Sequence, residues 1–306
     1  MSDQPSYHGD TPLYPIREVS RLTGVNSVTL RAWERRYGLI KPRRTPKGHR
    51  LYAREDIERV ERILQWLNRG VPVSQVRELL DRPETGEAVA PPPDTGDWTG
   101  QREQLVAAVE ALDQTLLETL FCQSLALYPV ATCIEALWTP AIRELEERWG
   151  DRLGDPLQRL ALEAFLRTRI GTRLLHANAR TRGPGLVLTP LPEDPGTLWL
   201  LLAALAASDR GYRVQLFDAP LPFGELPLAV ERFRAAGVLM AGSRAGRTDL
   251  IRRQLPRLAE QLEVPVGLYG PVARIRAADL IDTGIEVLGD DLDQALSRLQ
   301  TLLPTD

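Results

Sequence analysis

Between Arg31 and Arg50 the sequence RAWERRYGLIKPRRTPKGHR carries eight Lys/Arg against one acid, Glu34. A surface with that charge is suited to lie against phosphates, since each cation that neutralises a backbone phosphate releases condensed counterions. Most hydrogen bonds between protein and DNA go to phosphate and sugar, with a minority reading base edges. Other chemistries are thinly supplied. Cys122 and Cys133, the two cysteines, provide neither a disulfide framework nor a paired metal-ligand motif. Both fall in helix-patterned stretches, where a free cysteine behaves as a small apolar residue. The histidines are His8, His49 and His176, so none lies in residues 177–306. No glycine-rich phosphate loop is present, and the residues show no catalytic constellation.

The basic stretch has to be held by local elements. A helix is predicted from about Pro15, with Ile16, Val19 and Leu22 on one face and Gly24 closing it. The turn Gly24–Val25–Asn26 leads to Ser27 as N-cap and to a second helix from Val28 to about Tyr37. Helix, short turn and helix make a helix-turn-helix. Its second helix is expected in the major groove, with Val28, Thr29 and Arg31 at the base edges and Arg35 and Arg36 further along. Trp33 and Tyr37 fit a core role equally well. Gly38 stops this helix, and LIKPRRTPKGHRLY reads as a two-stranded wing turning at Pro46–Lys47–Gly48. Arg43, Arg44, His49, Arg50 and Tyr52 are expected to project from it towards backbone or minor groove. Helices at Glu55–Leu67 and Val73–Leu80, the latter with Ser74 as cap, would close a small core.

The charge is split along the chain. Residues 1–82 hold sixteen Lys/Arg and ten Asp/Glu, whereas the remainder is acidic, giving −3 over the 306 residues. A basic head on an acidic body implies that the head alone touches nucleic acid. The N-terminus does not read as a signal peptide, and the apolar run LWLLLAALAA at 198–207 is about half the length of a membrane span. The protein is expected to be soluble and cytoplasmic, without membrane partners.

Five segments follow. Residues 1–11 read as a disordered N-terminus, 12–82 as the basic head, 83–100 as a Pro- and acid-rich linker, 101–182 as a helical bundle and 183–306 as an α/β domain. In the bundle, Leu105, Val109, Leu112, Leu116 and Leu120 keep one helical face. Val130–Trp149 repeats the pattern, kinked at Pro140, and Asp155–Pro156 opens a third helix as cap and first-turn proline. Trp138 and Trp149, almost on one face, could wall a ligand pocket or be core aromatics. The last segment alternates strands (Leu186–Thr189, Tyr212–Phe217, Gly237–Met240, Val264–Leu268, Ile285–Leu288) with helices (Thr197–Asp209, Leu226–Ala236, Thr248–Leu262, Ala273–Ile281, Leu292–Leu303). That order predicts a five-stranded, doubly wound parallel sheet of Rossmann-like or flavodoxin-like type. The fold class is therefore α plus α/β, multidomain. Ligands of such sheets sit beyond the carboxyl ends of the strands. Arg244, Arg247, Arg252 and Arg253 near the third strand end could serve an anionic ligand or form a solvated helix face.

The runs I-R-E-V-S-R-L-T-G-V, T-L-R-A-W-E-R-R-Y-G-L and G-H-R-L-Y, within residues 14–80, resemble the winged helix of MerR-family transcription regulators. The form R-A-W-E-R-R-Y-G further resembles the branch that includes the CarH/LitR light sensors and the MlrA regulators of curli and biofilm genes. The resemblance implies that Thr29, Arg31, Arg35 and Arg36 read the major groove and that Arg43, His49, Arg50 and Tyr52 grip the flanking backbone. It also implies a homodimer or higher oligomer on two-fold promoter DNA, RNA polymerase as a partner, and usually activation. Metal sensing is not expected, because the head carries no cysteine.

In the light-sensing relatives, a bundle of this kind precedes a cobalamin-binding domain, and a tryptophan followed by Glu-His contacts the corrin. Trp149 resembles that tryptophan, but Gln158–Arg159–Leu160 stand where Glu-His would. The family's E/D-x-H-x-x-G loop corresponds to LPEDPGTLW, 191–199: Glu193 is kept, and Pro195 replaces the cobalt-ligating histidine. The later Gly-Gly turn is reduced to Tyr269–Gly270, and its serine after the third strand to Ala241. Proline has no free ring nitrogen to give a metal. The resemblance thus favours the MlrA side, with a degenerate pocket, no histidine-ligated cobalamin, and a signalling protein or a small anionic or nucleotide effector as partner. The alternatives are a light-responsive repressor holding cobalamin or a tetrapyrrole, and a protein-interaction module with vestigial DNA binding. A cobalamin-dependent enzyme is disfavoured by the missing histidine and the DNA-binding head.

Overall fold

The computed structural model describes residues 13–68, 73–80, 98–150, 152–194 and 196–303. They fall into two compact units, Met1–Leu105 with Leu116–Leu137 and Val106–Thr115 with Trp138–Asp306.

The first unit opens with a short strand that sequence periodicity does not reveal. Strand β1 (Tyr14–Pro15) precedes α1 (Ile16–Thr23), and Gly24, at φ 71°, ends that helix in the left-handed region. Val19 is fully buried while Leu22 is 45% exposed, so the apolar face of α1 is narrower than its spacing suggests. Helix α2 (Ser27–Ala32) is capped by Asn26, not Ser27: the Asn26 side chain accepts hydrogen bonds from the amides of Val28 and Thr29, both at 2.9 Å. The helix then widens into one π turn, Trp33–Tyr37, closed by Gly38 at φ 60°. Strands β2 (Arg43–Arg44) and β3 (Arg50–Tyr52) form the wing, and β1 completes an antiparallel sheet in the order β1-β3-β2. Helices α3 (Arg54–Asn68) and α4 (Val73–Leu80) follow. Ser74 lies inside the first turn of α4 and does not cap it.

Helix α5 (Trp98–Glu110) begins inside the stretch read as linker, and α6 (Gln114–Leu127) follows it. The single helix expected through Leu105–Leu120 is broken between them, with Leu112 at φ 58°. Apolar spacing continues across the break, so periodicity alone does not show it. Trp33 is fully buried, and its indole N–H donates to the Leu127 carbonyl at 2.8 Å. Helices α7 (Val130–Cys133) and α8 (Thr139–Arg148) flank a π turn, Ile134–Trp138. The widened turn lies directly before Pro140, where a missing N–H disfavours regular winding.

Helix α9 (Asp155–Asn178) starts after Gly154, so Asp155 is its first residue and accepts instead from the Gly150 amide at 2.9 Å. The sheet comprises β4 (Gly185–Pro190), β5 (Arg213–Leu216), β6 (Ala235–Ala241), β7 (Val266–Tyr269) and β8 (Ile285–Gly289). All neighbours are parallel in the order β5-β4-β6-β7-β8, the flavodoxin-like arrangement. Helix α10 (Leu198–Asp209) is buried along Leu198–Ala207, which explains its unbroken apolar run as core. Helix α11 (Leu226–Phe233) ends at Arg234, whose φ is 49°, and the expected helical residues Ala235 and Ala236 belong to β6. Helices α12 (Leu255–Gln261), α13 (Pro271–Arg276) and α14 (Leu292–Leu302) complete the layers. Leu191, Val238, Met240, Ile251, Leu255 and Val272 share the core over one sheet face. Among the described residues no helix is long and apolar enough to cross a membrane.

Candidate nucleic-acid interface

The start of α2 presents a selective face. Val28 is 60% exposed, and Arg31, Arg35 and Arg36 are exposed on the same helix and its π turn. Thr29 corrects the expectation: it is fully buried, and its Oγ1 donates to Asn26 Oδ1 at 3.2 Å. A hydroxyl used to buttress the cap cannot meet a base edge without opening the turn. In a helix of six residues the capping face and the reading face lie within one turn, and spacing alone did not separate them.

The wing exposes Arg43, Arg44, Lys47 and His49 around the turn. That turn is fixed by Gly48, at φ 80°, and by hydrogen bonds Thr45 N–His49 O (2.9 Å) and His49 N–Thr45 Oγ1 (3.1 Å). Two wing residues do not project as expected. Tyr52 is fully buried, because β3 is the central strand and alternate residues must face the core. Burial, followed by the charge of Glu34, pushes its phenol up to about 12. Arg50 is held: its Nε donates to Glu34 Oε2 at 2.5 Å, with only 13% of its side chain exposed.

Glu34 is the residue that the basic pattern concealed. Its other oxygen accepts from Arg44 Nη2 at 2.8 Å, so one carboxylate ties both wing strands to the π turn after α2. Burial pushes the Glu34 carboxyl up, but hydrogen bonds from Arg50 and then Arg44 outweigh it and hold the group below its ordinary range. Its singularity among eight cations was the available signal.

At the carboxyl end of the parallel sheet the loops are fastened to one another. Asp194 accepts from the Ser243 amide (2.7 Å), Ser243 Oγ (2.9 Å), the Gly196 amide (3.0 Å) and the Arg244 amide (3.3 Å). This joins the loop after β4 to the loop after β6. Glu193, at φ 67°, pairs with Arg247 at 3.0 Å on the surface. Pro195 lies outside the described residues. Glu163, 4% exposed, accepts from the Thr197 amide at 2.9 Å, and Glu146 accepts from the Trp199 indole at 3.1 Å. Burial raises both carboxyls.

Tyr269 is fully buried with its ring edge-on to Trp199 at 6.1 Å. Gly270, at φ 94°, approaches Gly242 so closely that a Cβ would lie 2.8 Å from its carbonyl oxygen. Trp138 and Trp149 are 1% and 8% exposed, core aromatics and not free pocket walls. The Trp149 indole donates to Gln158 Oε1 at 3.0 Å, and the Arg159 guanidinium stacks 5.1 Å from its ring centre. The one histidine of this unit, His176, has Nδ1 2.7 Å from its own helix carbonyl at Thr172. The chemistry of the loop after β4 does not fit a histidine-anchored corrin: no histidine stands in residues 177–306, and among the described residues the loop is fastened by the Asp194 carboxylate.

A winged helix-turn-helix with a cation-rich face defines the class, a DNA-binding regulator. Residues 14–83 match the MerR HTH family regulatory proteins. Over 251 residues the chain is 34% identical to the HTH-type transcriptional regulator MlrA of Escherichia coli (strain K12), covering 81% of this chain and 96% of that protein. Over 276 residues it is 29% identical to the HTH-type transcriptional repressor CarH of Myxococcus xanthus, covering 87% and 91%. The chain belongs to the MerR family of HTH-type transcription regulators, in the group that contains MlrA and CarH. Among solved structures it is similar in outline to the Methanosarcina barkeri monomethylamine corrinoid protein, at 12% identity and a TM-score of 0.47, covering 66% of this chain and 96% of that one.

Proposed function

We propose that this transcription regulator activates promoters as a homodimer or higher oligomer, binding DNA through the head at residues 12–82. The C-terminal module at 183–306, joined to the head through the linker at 83–100 and the helical segment at 101–182, serves signal reception, oligomerisation or protein docking. The observation that carries the DNA-binding reading is the exposed row Arg31, Arg35, Arg36, Arg43, Arg44, Lys47 and His49, held on one wing-and-helix frame by Glu34. A two-fold assembly needs a two-fold operator with half-sites set by subunit spacing. RNA polymerase and a signalling protein or small anionic effector are the partners this role calls for, in the cytoplasm.

Duplex binding should be strongly salt-dependent. With about six to ten phosphates neutralised, log K should fall against log salt with a slope on the order of −5 to −9. Fluorescence anisotropy across a salt series measures it, and a slope near zero would leave the head a protein-interaction module.

Body segments 101–182 and 183–306 act in this proposal without histidine-ligated cobalamin. The similarity to a protein named as the repressor CarH supports a second reading, a light-responsive repressor that holds cobalamin or a tetrapyrrole. Adenosylcobalamin mixed with the protein in darkness and then desalted should leave no corrin absorbance on it. Corrin that stays with the protein would favour the second reading and require a ligand other than the loop histidine.

A further inference from the structure

The first turn of α1, the start of α2 and the turn of the wing enclose a notch of about 300 Å³. Its polar side chains are Arg17, Arg31, His49 and Arg50, with Gly48 at the rim and no carboxylate among the lining residues. Glu34, the acid that neutralises Arg50, already holds Arg44 as well. Arg17, Arg31 and His49 have no ion pair among the described residues, and Arg50 Nη2 is buried without a hydrogen-bond acceptor there. Cations gathered around an open notch repel one another until an anion enters, and concave walls focus their field. A guanidinium also presents paired N–H donors in the geometry that phosphate oxygens accept.

We propose that this notch seats a phosphodiester of duplex DNA, and that Arg17 is a backbone-binding residue acting with Arg31 and His49. The proposal rests on the head being a DNA-binding domain and adds α1 to the helix and wing as a third element gripping the duplex. Arg50 forms the floor of the seat. Its Nε is committed to Glu34, so it shapes the notch and does not reach out from it. Arg17 lies outside the basic run from Arg31 to Arg50. Only the fold brings the two together, through the pairing of β1 with β3.

A phosphate contact carries no sequence information, so a mixed-sequence duplex is a sufficient probe. Arg17→Ala should weaken binding to it severalfold and make the salt slope shallower by about 0.9, the share of one phosphate. Between 50 and 200 mM salt the variant should therefore lose roughly 3.5-fold less affinity than the natural chain. Arg17→Lys should restore the slope. Arg21→Ala has the same change in net charge on the same helix, but Arg21 is paired with Glu18 at 2.5 Å; it should leave the slope unchanged. Thermal unfolding of all three variants reports whether the head stays folded.

If the natural chain binds with a steep slope and Arg17→Ala matches it, the seat is overturned while the head remains a DNA-binding domain. A natural chain with no salt-dependent binding overturns the head's assignment itself. An equal loss of slope in Arg21→Ala overturns the specific seat in favour of diffuse charge.

Discussion

Glu34→Gln should detach the wing from the helix beside it and lower DNA affinity by tenfold or more. The substitution removes the charge that neutralises both Arg44 and Arg50, and Arg50, 13% exposed, cannot regain full hydration. Removing one partner of a buried pair costs about 3–5 kcal/mol. The small remaining solvent contact places this case nearer 2–4 kcal/mol. For a domain of this size that corresponds to a melting transition lower by roughly 10 °C or more.

The pH dependence has a definite sign. Glu34 titrates below the ordinary carboxylate value, so its contribution is complete above about pH 4.3 and is lost as pH falls through the lowered value. The natural protein should lose stability in that acid window through this group, whereas Glu34→Gln should lack that component. Melting curves from neutral pH downwards, with anisotropy at neutral pH, provide the check. Equal melting and equal affinity in the two proteins would refute the role given to this carboxylate.

Asp194→Ala should loosen the carboxyl end of the parallel sheet. It deprives the amides of Gly196, Ser243 and Arg244, and the Ser243 hydroxyl, of one shared acceptor. Hydrogen bonds to a charged group contribute about 1.5–3 kcal/mol each when protected, but water can replace some of them at this half-buried site. A net loss on the order of 2–4 kcal/mol is expected, with a transition lower by about 5–15 °C. Hydrogen exchange should rise in the loops at 191–199 and 242–247, and Asp194→Asn should recover part of the protection. Unchanged exchange in both loops would show that Asp194 does not fasten them.

Much of this architecture was legible because hydrophobic pattern reports burial directly. The five strands register as short apolar runs, and Leu198–Ala207 registers as a helix buried on all sides. The turn residues Gly24, Gly38 and Gly48 also stand where left-handed backbone is needed. What escaped were choices made by tertiary contact. A threonine at the start of a recognition helix and a tyrosine at the end of a wing look like contacts, but Thr29 buttresses a cap and Tyr52 fills the core. For Tyr52 the difference depends on β1, a two-residue strand too short to show any period. Helix ends set by a residue in left-handed conformation, Leu112 and Arg234, also gave no signal, because neither type is expected there.

In the α/β segment, the absence of a histidine was easier to see in the sequence than the residue that ties the loop after β4 in place. Glu193 drew notice as the matching acid, while its neighbour Asp194 makes the connections. A carboxylate that binds backbone amides across a loop pair has no spacing signature; its partner Ser243 is far along the chain.

The third strand of the wing has a consequence for the thermodynamics of binding. A two-stranded ribbon is marginal in water, and ordering a floppy one against DNA would subtract its conformational entropy from the affinity. Here β1 supplies a second neighbour to β3, with Tyr14 opposite Tyr52 and Pro15 opposite Leu51, and the ribbon is already set in the unbound chain. The ordering is completed during folding, so each contact made on the duplex can contribute more of its free energy to association. Pro15, with no N–H to offer, also leaves the outer edge of that sheet a poor template for a further strand.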